Sequence, residues 1–100
     1  MASRLVYPVW TYESGDKGKF AVTALAATTK TFSKLVDRVD IAVSGSCYVR
    51  INDAPATSDD FLVPTGGWTP YVGPIKSVSF LSAAGAITAS LIGYSTNRQD

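Results

Sequence analysis

Val39-Asp40-Ile41-Ala42-Val43-Ser44-Gly45-Ser46-Cys47-Tyr48-Val49-Arg50-Ile51-Asn52 carries the pattern that decides the fold class. Val39, Ile41 and Val43 alternate with Asp40, Ala42 and Ser44; Cys47, Val49 and Ile51 alternate with Tyr48, Arg50 and Asn52. In an extended chain a period of two sends one set to each face, so both runs read as half-buried strands. Ser44-Gly45-Ser46 lies between them as a short turn. The stretch is therefore expected to form a hairpin with one apolar and one polar face. A helix over Lys34 to Val43 also fits through Leu35, Val36, Val39 and Val43, but β-branched residues make it a poor helix former.

Outward from this stretch the same period recurs. Phe20, Val22 and Ala24 alternate with Ala21, Thr23 and Leu25. Residues 53–59 form a loop by composition, and Asp60 to Pro64 is a short strand that ends in the turn Thr65-Gly66-Gly67. Trp68 to Val72 reads as another strand, with Pro70 marking an edge or a bulge. Ile75 to Leu81 and Ala86 to Tyr94 are the last two, separated by Ala84-Gly85, and the final one carries Ile87, Ala89 and Leu91 on one face. Turns every 8–12 residues and about seven or eight short strands predict an all-β antiparallel sandwich. Residues 20–94 would be its body, 1–19 an N-terminal arm or first strand, and 95–100 a polar tail.

One hundred residues suit one domain with one core. The chain is 46% apolar and 17% charged, which excludes a disordered polymer and hints at a surface partly covered by partners. A net charge of +1 gives no reason to expect nucleic acid as a partner. The sign is uneven, with six basic and three acidic groups in residues 1–38 against three and five in 39–100. No apolar run reaches the roughly 18 residues of a membrane span, so a soluble protein without a membrane partner is expected.

Histidine is absent from the chain, which removes the commonest general base and any Ser-His-Asp or Cys-His arrangement within it. Cys47 is the single cysteine, so neither an internal disulfide nor a cysteine-rich metal site can form; alternation reads it as a buried, inert thiol. Asp37 and Asp40 flank Arg38, and Asp53, Asp59 and Asp60 crowd one loop. Paired acids can hydrolyse glycosides and clustered oxygens can hold calcium, but no motif supports either use here. They read as solvated loop and cap acids. No catalytic residue, metal site or cofactor is expected.

The aromatic residues are more informative. Arg4 to Tyr12 is rich in them and is either the opening strand of the sandwich or an arm that packs on a neighbouring subunit. Arg4, Tyr7, Trp10 and Tyr12 are its candidate contacts, being of the types that dominate binding hot spots. Arg50 projects opposite Cys47 and Val49, as a surface group or half of an inter-subunit ion pair. Trp68 and Tyr71, with Tyr48 and Tyr94, could form a sugar platform, or could fill a core or subunit interface.

Val39 to Asp53, followed by Ala56-Thr-Ser-Asp-Asp-Phe-Leu-Val-Pro-Thr-Gly-Gly-Trp68, resembles small proteins encoded among the structural genes of tailed bacteriophages. The shared pattern is a hairpin ending in Tyr-Val-Arg, a loop of Ala, Thr, Ser and Asp, and an apolar pair followed by Pro and Gly. A late strand then alternates Ile, Thr and Ser, here Ala86 to Tyr94. Such proteins are similar to capsid cement or decoration proteins. The resemblance implies a jelly-roll-like sandwich, made in the host cytoplasm, that sits on the capsid surface as a homodimer or homotrimer. Its partners would then be itself and the major capsid protein. The alternative is a tail or fibre component acting as a receptor- or carbohydrate-binding module.

Overall fold

A computed structural model describes residues 10–12, 16–70 and 73–96. Among these described residues are nine strands: β1 (Trp10–Thr11), β2 (Lys17–Val22), β3 (Thr28–Val36), β4 (Arg38–Val43), β5 (Cys47–Ile51), β6 (Phe61–Val63), β7 (Gly66–Trp68), β8 (Ile75–Ser82) and β9 (Ile87–Thr96). Every pairing is antiparallel. The chain is all-β, and the pairings sort into two sheets.

The connectivity is that of a rolled ribbon. β5 pairs with β6, β4 with β7, β3 with β8, and β2 with β9, as in one long hairpin closed at residues 52–60. The β4–β9 and β5–β8 pairings stitch that ribbon into sheets ordered β2-β9-β4-β7 and β3-β8-β5-β6. This is the eight-stranded jelly roll. β1 runs along the same edge of β9 as β2, at its other end, with Trp10 opposite Thr96 and Thr11 opposite Ser95. The described part of the N-terminal stretch is thus strand, while Arg4 and Tyr7 lie outside the described residues.

The core follows from alternation. Val22, Val39, Ile41, Val43, Ala89 and Leu91 face inward from one sheet; Cys47, Val49, Val63, Val78 and Phe80 face inward from the other. Stacked sheets sit about 10 Å apart, and Phe32 helps to fill that gap. A Cβ on Gly93 would lie 2.7 Å from the Phe32 ring, so only glycine lets that ring approach β9. The registers of β3 and β8 shift between Thr31 and Val36, where β3 bulges. A bulge frees backbone groups from the ladder. There the Ser33 N–H donates to Asp16 Oδ1 at 3.0 Å, and the Ser33 hydroxyl contacts both carboxylate oxygens. Buried Asp16 thus replaces the lost ladder partner.

Several expectations are corrected. Residues 39–52 are not a hairpin: β4 and β5 belong to different sheets, and residues 44–46 arch across the sandwich. Alternation is the same for two strands side by side and for two strands facing each other. Residues 65–67 are not a separate turn before a strand at 68–72, because β7 occupies Gly66–Trp68. Gly66 has φ +128, which glycine alone adopts easily and which lets the pair lie along β4. The strand expected at 20–25 starts earlier and ends at Val22, leaving Leu25 almost fully exposed. β9 runs through Thr96, into the expected tail. β3, unread in the sequence, completes the second sheet.

Candidate functional site

The two outer faces of the sandwich present different chemistry. On the β3-β8-β5-β6 sheet, residues 53–60 fold back over the strands. Buried Ser79 accepts a 2.8 Å hydrogen bond from the Ala56 N–H and a 3.1 Å one from the Thr29 hydroxyl. Asn52, in the left-handed region at φ 57, accepts from the N–H groups of Lys76 at 2.6 Å and Ser77 at 3.3 Å. Its side-chain amide donates to the Pro74 carbonyl. Asparagine tolerates that backbone region better than most residues.

Arg50 Nε lies 3.0 Å from both Asp60 oxygens, and Asp60 accepts in turn from the N–H and hydroxyl of Thr57. The Thr57 N–H first, and then Arg50, hold the Asp60 carboxyl below its ordinary value. Arg50 is thereby engaged by Asp60 within the chain, as Asp40 is by Arg38.

Among the described residues, no segment folds over the outer face of the β2-β9-β4-β7 sheet. Its rows follow from the registers: Lys17, Ile92 and Asp40 lie side by side, as do Lys19, Ser90, Ala42 and Gly67. A shallow open depression of about 550 Å³ is lined by Lys17, Lys19, Asp40, Ala42, Ser90 and Ile92. Tyr94 closes one end, with the exposed Tyr12 ring edge-on to it at 5.8 Å and Arg38 5.8 Å from its centroid. Lys17 Nζ is 5.4 Å from the Tyr12 ring, within cation–π range. Asp40 is met by Arg38 at 2.9 Å and by the Thr69 hydroxyl at 3.0 Å.

A third feature joins the sheets at their short edges. Phe61 on β6 and Trp68 on β7 approach at 5.0 Å between centroids, closing the open side of the sandwich. Phe61 and its neighbour Leu62 remain 59% and 47% exposed, on opposite faces of β6.

The expected contact residues are therefore dispersed. Tyr12 sits at one end of the bare face, Trp68 at the opposite edge of that sheet, and Arg50 on the other sheet; Tyr71 lies outside the described residues. Tyr48, Tyr94 and Trp68 do not share a surface, so no sugar platform of those three forms: Tyr48 lies opposite Leu81 and Leu62 on the covered sheet. Cys47 is buried, and that burial raises its thiol pKa, as an inert core thiol requires. Among the described residues no three His, Cys, Asp or Glu side chains group as metal ligands. No described helix is long and apolar enough to cross a membrane. Asp16 was not legible as a buried anchor, since its partner lies 17 residues away.

No protein-family profile, curated protein or solved structure matches this chain.

Proposed function

We propose that this chain is a bacteriophage virion structural protein, a capsid cement or decoration protein that stabilises the major capsid shell as a small homo-oligomer, without catalysis. The observation that carries this reading is the pairing of a rigid jelly roll with an uncovered sheet face and an exposed Phe61-Leu62 edge. The sequence resemblance and the low charge point the same way. A rigid β-sandwich loses little conformational entropy on docking. Many copies of a modest contact then resist internal pressure through avidity.

Density-gradient sedimentation of a native lysate tests this. The protein is expected to run with megadalton particles, in many copies per particle. Migration as a free small species would overturn the reading and favour a separate binding module.

A further inference from the structure

We infer that the bare face of the β2-β9-β4-β7 sheet docks on the same face of a second copy, around a two-fold axis running along β9. The argument is one of self-complementarity. β9 is flanked by β2 and β4, and the row through Ile92 places Lys17 on one side and Asp40 on the other. Rotation by 180° about an axis parallel to β9, just above the face, exchanges those sides while keeping each row at its own height. Lys17 then meets the partner's Asp40, Asp40 meets the partner's Lys17, and the two Ile92 side chains meet on the axis. A contact of this kind is isologous by construction.

The rest of the face fits the same operation. Ala42 and Ser90 are small, and let the two sheets approach closely with β9 parallel to its mate. At the far end of the face, the exposed Tyr12 ring comes over the side where the partner's Arg38 lies. Strands spaced about 4.8 Å apart make the overlap of β2, β9 and β4 about 15 Å wide; over the roughly 30 Å length of β9 that is about 450 Å², below a standard interface of about 800 Å² per partner. Two of its contacts are ion pairs, so salt weakens the dimer.

This refines the assembly reading by naming the self-contact, and it is tested on purified protein, apart from any particle. Sedimentation velocity across a concentration series should show a monomer–dimer equilibrium. Lys17→Asp and Asp40→Lys should each be monomeric, since each homodimer would face like charges twice. An equimolar mixture of the two should dimerise again, because both contacts in the mixed pair are then opposite in sign. Loss of folding cannot mimic that recovery. A monomer at every concentration, a trimer, unchanged dimerisation of both variants, or no recovery on mixing would overturn the inference.

Discussion

Residues 53–60 fold over part of the outer face of the β3-β8-β5-β6 sheet, whereas no described segment folds over that of the β2-β9-β4-β7 sheet. On the first, Ser79, Asn52 and the Arg50–Asp60 pair satisfy polar groups internally and pin residues 53–60 in place. On the second, charges sit at the rim of a small-residue depression. The difference teaches where contact energy remains to be gained: the covered sheet supplies stability, and the open sheet supplies association.

The largest expected effect lies in the interior that both faces share. Phe80 is fully buried between the sheets, and Phe80→Ala should destabilise the domain by about 3–5 kcal/mol, read as a lower midpoint in urea. Next comes the tether on the covered face. Ser79→Ala leaves the buried Ala56 N–H without its acceptor and should cost about 1–3 kcal/mol. If Ser79→Ala proves neutral, the loop is not held as described and the contrast between the faces fails.

A smaller effect concerns pH. The Asp60 carboxyl is held below its ordinary 3.8, chiefly by the Thr57 N–H, so its folded value lies below its unfolded one. Its contribution is complete above the unfolded value and is lost as pH falls through the folded one. The melting-temperature difference between wild type and Asp60→Asn should be constant near neutral pH and should shrink below about pH 3.8. The smallest effect on stability belongs to the open face. Ala42→Arg should change unfolding free energy by less than about 0.5 kcal/mol, yet abolish the dimer in sedimentation velocity.

How far the sequence reveals this arrangement depends on which forces mark it. β5 and β9 were legible because their apolar residues alternate without interruption, as in Cys47-Val49-Ile51 and Ile87-Ala89-Leu91, and β6 and β8 as short apolar stretches bounded by Pro64, Gly73-Pro74 and Gly85. β3 was not, because Thr28–Val36 offers Phe32 and Val36 as its buried apolar residues and is broken by a bulge. The 39–52 stretch gave the right strands and the wrong partners, since facing and adjacent strands share one alternation. The glycines of β7 concealed a strand. Of the candidate contacts, Tyr12 was placed on the open face as an exposed ring, while Arg50 proved to be part of the covered one. Long-range pairings such as Asp16 with Ser33 leave no local mark at all.

Lysine acetylation read by mass spectrometry tests most directly whether the open face is the contact face. Lys17 and Lys19 lie on that face, and exposed Lys76 is the second residue of β8 in the other sheet. Comparing dilute purified protein with the native assembled form, Lys17 and Lys19 should become protected while Lys76 remains equally reactive. Protection of Lys76 with Lys17 and Lys19 unchanged would contradict the account.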